Sequence, residues 1–391
     1  MGRETDQRWF AVGHSSADSS LRAGAEAAAG LDPPSDPKLL VAFASCEYDL
    51  GPLLEAVRSE VGDVQLIGCS TAGEIAASGP GDAGVVIAAI GGDGIDVATA
   101  VAHEASQDLR GAGELAASYA AFADKRDHEV LLMLTDGLSG DQQEIVRGAY
   151  SVVGAGVPMV GGCAGDNLRM ERTFQLYGDR VLSDAVVAAM ISSDAPLGIG
   201  VRHGWRRVGE PMLVTSASDN RVHEIEGRPA LDVYFERLDV PEEARTDPAV
   251  FTAFASTHPL GLASRSEEHH VRFISGADFA SRSLVSIAEV PSGGLVWAME
   301  GDSESVLGAT DGACADALQD LEGERPLGLI AFDCIARRGV LGPSGISDEI
   351  SRIAEKGEGA PVAGFYTYGE IARTRGMSGF HNQTLVVLAV A

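Results

Sequence analysis

Lysine is almost missing from this chain of 391 residues, which contains only Lys38, Lys125 and Lys356. Arginine therefore supplies most of the positive charge, and 29 basic residues face 57 acidic ones, for a formal net charge of −28. A surface of this sign repels phosphate backbones and anionic lipid headgroups. The composition predicts a protein that binds neither nucleic acid nor an anionic membrane surface.

Long apolar runs are also missing. No stretch approaches the roughly 20 apolar residues that a membrane-spanning helix needs. The first residues, MGRETDQRWF, lack the apolar segment of a secretory signal. We therefore expect no membrane span and a cytoplasmic location.

Cysteine is scarce as well, and its spacing is uninformative. The five cysteines are an odd number, and no two of them form a CxxC pair. This pattern argues against a disulfide framework or a structural zinc site, and we expect reduced thiols and no metal. A hydrophobic content of 45% indicates a globular chain instead of a disordered one.

Apolar runs of strand length and helical patterns recur in a fixed order along the chain. The first copy begins at Lys38 with LLVAFASC, followed by a helix, the strand VQLIG and the strand GVVIAAIG. A second copy begins at His128 and a third near Pro326, where a longer glycine-rich loop is expected before a helix at Ser347. Each copy predicts a strand–helix–strand–loop–strand module, and such repeats are best found before local motifs are interpreted.

Two copies share a loop. GCSTAGEI at 68–75 and GFYTYGEI at 364–371 match at five of eight positions. In the second copy GGCAGDN takes this place, and Asp166 stands where the other copies have glutamate. The repetition indicates a strand-end loop that the modules have in common, and its cysteine is the least informative member.

In combination these motifs resemble the FIST family. The resemblance rests on GCSTAGEI after a strand, HEIEGRPALDVY in the middle, and CIARR, GFYTYGEI and HNQTLVVLAV near the end. It runs from about residue 38 to the C-terminus and implies an N-terminal segment at 1–37, an N-terminal FIST domain at 38–220 and a C-terminal FIST domain at 221–391.

The resemblance implies a sensory, non-catalytic role in intracellular signal transduction. Family members are thought to bind small ligands, so the implied ligand is an amino acid or a related metabolite. The implied partner is a separate signalling protein such as a kinase, a chemoreceptor or a cyclic-dinucleotide enzyme. One branch is described as haem-containing nitric-oxide sensors, which leaves haem binding as an alternative. A cysteine-dependent enzyme is the third hypothesis.

The repeated loops supply most of the candidate ligand-binding residues. A carboxylate beside a strand-end glycine can hold an ammonium group, or it can accept N–H bonds from its own loop. Both interpretations stay open at this point. The candidates are Thr71, Gly73 and Glu74 in the first copy and Tyr366, Thr367, Tyr368, Gly369 and Glu370 in the third.

Three further candidates lie near the third loop. Arg337 follows a predicted strand and could clamp a ligand carboxylate while Glu370 holds the ammonium group, or it could form an ordinary salt bridge. His381 and Asn382 begin the last strand, where polar side chains suit either a pocket mouth or the loop backbone.

The two alternative functions name their own residues. A haem would need an axial histidine in an apolar pocket, and His381, His223 and His203 are the candidates. A nucleophilic Cys69 would need a nearby base, and no histidine lies near it in the sequence. Its counterpart in the third copy is Phe365, which favours burial as the reason for a cysteine there.

The fold class that follows is α/β. We expect two domains with mixed sheets, built from repeated strand–helix–strand–loop–strand modules. Two sheets stacked between helix layers, in the order α/β/β/α, is the expected layering.

Overall fold

The computed structural model describes residues 8–33, 36–263, 270–374 and 379–391. The first module is an α/β unit in which two helices cover one face of a sheet. Asp49 caps the second helix by accepting a hydrogen bond from the Gly51 N–H. The elements of this module are β1 (Trp9–Ser15), α1 (Ser20–Ala29), β2 (Pro37–Ser45), α2 (Leu50–Val61), β3 (Gln65–Thr71), β4 (Glu74–Ala76), β5 (Gly79–Gly81) and β6 (Val85–Gly91).

The second module repeats this order. A short 3₁₀ turn at Ala105–Gln107 precedes its first helix. Asp141 caps the second helix through the Gln143 N–H. The elements are β7 (Ile95–His103), α3 (Leu109–Ala120), β8 (His128–Thr135), α4 (Gln142–Val153), β9 (Met159–Cys163), β10 (Gln175–Tyr177), β11 (Arg180–Leu182) and β12 (Ala185–Ser193).

The third module begins with β13 (Leu197–Arg202) and is then interrupted by an inserted unit. The insertion consists of strands β14 to β21, which form one antiparallel sheet against two short helices. Its elements are β14 (Arg206–Ser218), β15 (Arg221–Ile225), β16 (Arg228–Pro229), α5 (Ala230–Arg237), a 3₁₀ turn (Glu243–Arg245), α6 (Pro248–Ala255), β17 (Leu260–Leu262), β18 (His270–Arg272), β19 (Ile274–Asp278), β20 (Ser283–Ser286) and β21 (Leu295–Glu300).

After the insertion the third module resumes in the same order as the other two. The predicted loop before Ser347 is wrong: the chain is already helical from Ile335, with a kink at Gly342, where φ is 64° and Pro343 starts the second half. The elements are α7 (Ser303–Gln319), β22 (Gly328–Cys334), α8 (Ile335–Lys356), β23 (Val362–Thr367), β24 (Glu370–Arg373), β25 (Phe380–His381) and β26 (Leu385–Val390).

The three modules form three six-stranded mixed sheets of the same topology. In order across each sheet the strands are β1-β6-β2-β3-β10-β11, β7-β12-β8-β9-β24-β25 and β13-β26-β22-β23-β4-β5. One parallel pair lies inside each sheet, at β2–β3, β8–β9 and β22–β23, and the other pairs are antiparallel. The expected α/β class with mixed sheets and repeated modules is therefore confirmed.

The modules are joined by exchanging their small hairpins. The hairpin β4–β5 of the first module completes the sheet of the third, β24–β25 of the third completes the second, and β10–β11 of the second completes the first. Each sheet thus obtains its two outer strands from another module. The result is a closed cycle with approximate threefold repetition.

A single apolar core lies where the inner faces of the three sheets meet. Phe43 and Phe365 stack with ring centroids 4.7 Å apart, and Phe332 contacts both rings edge-on. The helices cover the outer faces, α1 and α2 on the first sheet, α3 and α4 on the second, and α7 and α8 on the third. The expected layering of helices outside sheets is extended here to three sheets around one centre.

Glycine allows the helix pairs to approach closely. A Cβ on Gly148 of α4 would lie 2.0 Å from the Arg110 carbonyl oxygen, and one on Gly113 of α3 would lie 2.0 Å from that of Ile145. These distances are far below van der Waals contact, so the α3–α4 interface requires both glycines.

The predicted boundary between residues 220 and 221 falls inside the inserted unit. Strand β13, before that boundary, pairs with β26 at the end of the chain. The three domain ranges given by the sequence stay predictions.

Candidate functional site

The repeated threonine–glutamate pair of the first loop is a closed hydrogen-bonded unit. Thr71 Oγ1 donates to Glu74 Oε1 at 2.5 Å, and the Gly84 N–H donates to Glu74 Oε2 at 2.8 Å. Gly84 directly precedes β6, so the carboxylate ties the exchanged hairpin to the last strand of its own module. Both carboxylate oxygens have partners within the protein.

The third module repeats this unit. Thr367 Oγ1 lies 2.5 Å from Glu370 Oε1, and Thr384 donates its N–H at 3.1 Å and its hydroxyl at 2.7 Å to Glu370 Oε2. Thr384 directly precedes β26, the last strand. The two modules thus share the hydrogen-bond contacts of this glutamate and the position of its backbone donor before the last strand, in addition to the loop sequence.

Burial shifts the titration of both glutamates. Glu74 is 1% exposed and Glu370 is fully buried. Burial raises the pKa of each carboxyl to about 7, against the hydrogen bonds that favour the ionised form. Each carboxyl is therefore neutral in mildly acidic solution and half ionised near pH 7.

The glycines of these loops admit close neighbours. A Cβ on Gly73, whose φ is 120°, would lie 2.4 Å from Nη1 of Arg338. A Cβ on Gly369 would lie 2.1 Å from the Phe380 ring. Gly73 and Gly369 leave room for these two side chains, and ligand contact by either glycine stays a prediction.

In the second module the structure assigns this role to a residue that the sequence comparison missed. Asp136 accepts from the Thr173 hydroxyl at 2.7 Å and from the Asp184 N–H at 2.8 Å, and Asp184 directly precedes β12. Asp136 thus has the contacts that Glu74 and Glu370 have. The available signal was its place directly after the strand EVLLMLT.

Asp166, which the sequence aligns with the two glutamates, has a different role. It accepts backbone N–H bonds from Met170, Glu171 and Arg172 at 2.8–3.0 Å and a hydrogen bond from the Tyr368 hydroxyl. Burial opposes its ionisation, but these donors outweigh burial and hold the pKa of Asp166 below its usual value. Asp166 caps its own loop.

Tyr366 and Tyr368 lie in different surroundings. Tyr366 is fully buried, the Arg338 guanidinium lies 4.9 Å from its ring centroid, and its hydroxyl has no hydrogen-bond partner among the described residues. The Tyr368 hydroxyl accepts the Leu168 N–H at 2.7 Å. Neither ring faces the cavity described below.

Arg337 lies in a fully buried ion cluster. It donates to Asp333 at 2.6 Å, to Glu349 at 2.5 Å and to the Thr310 hydroxyl at 3.0 Å. Burial alone would lower its pKa, but Asp333 and Glu349 reverse this and raise the pKa of the guanidinium above its usual value. Arg337 is committed to these partners and makes no hydrogen bond to Glu370.

His381 and Asn382 are both buried, but they do not begin the last strand as predicted: His381 ends β25, Asn382 follows it, and β26 starts at Leu385. His381 Nε2 lies 3.0 Å from the Ala372 carbonyl oxygen, and its ring stacks on His270 at 4.9 Å. Burial, reinforced by His270, lowers the pKa of His381 to about 3, so the ring is neutral. The side-chain oxygen and nitrogen of Asn382 have no partner among the described residues.

Each of the three histidines named for an axial haem ligand is engaged within the protein. His381 Nε2 is engaged with the Ala372 carbonyl, His203 Nδ1 accepts the Trp205 N–H at 2.9 Å, and His223 Nε2 lies 2.9 Å from the Ser218 hydroxyl. None of the three histidines lines the cavity described below. In the described ranges, no three His, Cys, Asp or Glu side chains group as a metal site requires.

Cys69 lies in the central core, fully buried. Burial raises the pKa of its thiol well above the usual value, so the nucleophilic thiolate is suppressed. The burial inferred from Phe365 at the matching position agrees with this setting. Burial and the nearby Cys163 both disfavour the thiolate of Cys69.

A cavity of about 370 Å³ lies between α4 and the inserted sheet. Helix α4 contributes Gln143, Arg147 and Tyr150 to its wall, β18 contributes Arg272, and β24 contributes Arg373. The volume is in the range of small-ligand pockets. Of the predicted elements, the GEI strand borders this cavity through Arg373, which directly follows Glu370-Ile371-Ala372.

The fold is that of an α/β protein of three strand-exchanging modules, with a cavity of about 370 Å³ between one module and an inserted sheet. The model of the FIST N domain matches residues 38–228 and that of the FIST C domain matches residues 230–373. The chain belongs to the FIST family, whose domains are associated with sensory signal transduction. The cavity wall draws α4 from the first matched segment and β18 and β24 from the second.

Two of the similar proteins cover nearly the whole chain. Uncharacterised proteins from two strains of Mycobacterium tuberculosis are 28% identical over 397 residues, which covers 95% of this chain and 97% of theirs. An uncharacterised protein of Methanocaldococcus jannaschii is 29% identical over 82 residues, 21% of this chain and 16% of that protein. A crystal structure of a cyanuric acid hydrolase from A. caulinodans aligns over 98% of this chain and 99% of its own, at 10% identity and a TM-score of 0.34.

None of the described helices has the length and apolar character that crossing a membrane requires.

Proposed function

We propose that this protein is a non-catalytic sensor that binds a small metabolite, of the size class of an amino acid, in the cavity between α4 and the inserted sheet. The observation that carries this proposal is the position of the cavity. Its wall combines elements of both FIST domains, and ligand sites occur preferentially at such junctions.

A ligand in this cavity would contact two parts of the chain at once. Arg147 and Tyr150 belong to the second module, whereas Leu262 and Arg272 belong to the inserted sheet. Contacts to both parts stabilise the arrangement in which the parts are close together, relative to arrangements in which they are apart. This differential affinity is what a ligand needs in order to shift a conformational equilibrium.

In this scheme the main role of the residues proposed from the repeated loops is to hold the elements of the cavity wall in place. Glu370 and Thr367 fix the start of β24, and β24 carries Arg373 into the cavity wall. His381 stacks on His270, which lines the cavity. We propose that the signal passes to a separate signalling protein in the cytoplasm, such as a kinase, a chemoreceptor or a cyclic-dinucleotide enzyme.

A thermal-shift screen of the full-length chain against amino acids and related metabolites tests the proposal. A ligand at 100 times its dissociation constant stabilises the folded state by about 2.7 kcal/mol, which is readily measured. Ala263 is an exposed residue of the cavity wall, and Ala253 is an exposed residue of α6 outside it. We expect the shift in wild type and in Ala253→Trp and its loss in Ala263→Trp.

Two results would contradict the proposal. One is the failure of every compound in the screen to stabilise the wild-type protein. The other is a ligand whose shift survives in Ala263→Trp, because a binding site elsewhere would not be obstructed by that indole.

A further inference from the structure

The described part of the cavity wall is cationic, whereas the molecule as a whole is strongly acidic. The chain carries a net charge of −28, yet Arg147, Arg272 and Arg373 all line this one cavity. No aspartate or glutamate of the described residues contributes to the wall. A concave surface lined by one sign of charge concentrates ions of the opposite sign.

Arg272 is the most buried of these cations. Arg272 is 7% exposed. Its Nε donates a hydrogen bond to the Glu289 carbonyl oxygen at 3.0 Å, and its Nη1 donates one to the Val271 carbonyl oxygen at 3.2 Å. Within the described residues no carboxylate forms an ion pair with it. Burial lowers the pKa of Arg272 to about 10, so it still carries its charge at neutral pH.

Such a charge has a cost unless something neutralises it. Removing a cation from water without a paired anion is unfavourable, and hydrogen bonds to main-chain carbonyls offset only part of that loss of hydration. Asp141 and Glu289 favour the charged form from a distance but make no contact as ion pairs. Among the described residues, therefore, no anion in contact with Arg272 balances its positive charge.

Arg373 supplies a second unmatched cation. Its guanidinium lies over the Tyr150 ring at 3.2 Å from the centroid, and it makes no ion pair with a described residue. The ring contact holds the planar guanidinium in place, so less side-chain entropy is lost when an anion binds. Arg147 differs because it already forms a surface ion pair with Glu144.

We propose that the ligand of this cavity is a small dianion, with one negative charge for Arg272 and one for Arg373. The inference rests on the proposed ligand-binding function and specifies its chemistry. Two carboxylates, or the oxygens of one phosphate, satisfy it, since guanidinium groups bind both in a two-pronged manner. A zwitterionic amino acid fits less well, because its ammonium group would meet the cationic wall.

Isothermal titration of the full-length protein at pH 8 and low salt tests this assignment. The probes are malonate, succinate and glutarate as dicarboxylates, inorganic phosphate, the monoanion succinamate, neutral succinamide and zwitterionic alanine. We expect a dicarboxylate or phosphate to bind at least tenfold more tightly than succinamate, and no binding of succinamide or alanine. Comparing the dicarboxylates with phosphate identifies the source of the charge.

Variants locate the binding. Arg272→Gln and Arg373→Gln should each weaken the dianion at least tenfold, whereas Arg325→Gln removes the same charge from an exposed position outside the cavity and should leave the affinity unchanged. Arg373 is only half-buried, so Arg373→Gln remains a fair test if Arg272→Gln fails to fold.

The possible failures are distinguishable. If alanine or succinamide binds at the cavity and the dianions do not, the dianion assignment is wrong and the proposed function stands. Equal weakening by Arg325→Gln would also refute it, because the effect would then be one of net charge. If neither these probes nor the metabolite screen yields a ligand, both proposals fail.

Discussion

The buried carboxyl of Glu370 predicts a specific dependence of stability on pH. Burial raises its pKa in the folded protein to about 7, from 4.5 in the ordinary case. Between these values the folded state keeps a proton that the unfolded state releases, so the free energy of unfolding falls as pH rises from about 4.5 to 7 and is level above that. Each pH unit in this window is worth about 1.4 kcal/mol.

Glutamine tests this because it resembles the protonated acid. In Glu370→Gln one amide atom can accept from Thr384 and the other can donate to the Thr367 hydroxyl, which preserves the contacts seen at 2.5–3.1 Å. We expect this variant to match wild type in urea unfolding at pH 5. At pH 8 it should be more stable than wild type by on the order of 3 kcal/mol.

Alanine supplies the contrasting variant. Glu370→Ala leaves the buried Thr384 N–H and hydroxyl without their acceptor, at about 1–3 kcal/mol for each unsatisfied group. It should be destabilised by about 3 kcal/mol or more at pH 5, where glutamine is tolerated. The reasoning fails if wild type and Glu370→Gln lose stability in parallel between pH 5 and 8, or if Gln and Ala are equally damaging.

Three further predictions concern packing, charge and thiols. Gly148→Ala should destabilise the protein in thermal unfolding by at least about 2 kcal/mol, the order of an overpacked core, because its Cβ would overlap the facing helix. The control is Gly308→Ala, where nothing lies within 4 Å of the added Cβ, and it should be neutral or stabilising. Similar losses of stability in both variants would contradict this reasoning. Arg337→Ala should cost about 3–5 kcal/mol in urea unfolding, because it leaves two buried carboxyls without their cation, and a loss below about 1 kcal/mol would disprove that role. Alkylation of the native protein at neutral pH, read by mass spectrometry, should modify the half-buried Cys46 first and leave Cys69 unmodified until unfolding.

The parts of the fold that follow from local pattern could be predicted from the sequence. Strand and helix periodicity placed β2, α2, β3 and β6 and their counterparts, and loop repetition identified the threonine–glutamate unit. The structure adds a leading strand and helix to each module. Hairpin exchange could not be predicted, because it pairs strands that are far apart in the chain, such as Ile75 with Gly364, and leaves no local signal.

The glycine-rich stretch before Ser347 shows how propensity misleads. Gly339, Gly342, Pro343 and Gly345 suggest a loop, yet the segment is helical on both sides of one kinked residue. Pro343 suits the first turn of the second half of α8, because the backbone N–H that proline lacks would have no partner within the helix there. Packing against α7 and the sheet stabilises the helix despite its composition.

The cavity was beyond sequence reasoning for a related reason. Arg147, Arg272 and Arg373 belong to no shared motif, and only the tertiary fold brings them to one wall. Arg373 was the nearest to being found, because it lies two residues after the repeated GEI segment. Of the loops singled out by repetition, the third contributes indirectly, because the hydrogen bonds of Glu370 fix the start of β24, which carries Arg373 into the cavity wall.

Hairpin exchange also has a consequence for how this chain reaches its native state. β10 pairs with β3, β4 with β23 and β24 with β9. The outer part of the first sheet therefore cannot form before residues 175–182 are available. The outer part of the second sheet needs residues near 380, and that of the third needs residues near 365. Pairings between segments so distant in the chain raise the contact order, which slows folding. Until the last third of the chain has been synthesised, the second sheet has an open edge at β9, and the hairpin β4–β5 has no sheet to join. These unpaired strands are the surfaces that a nascent-chain chaperone would have to cover.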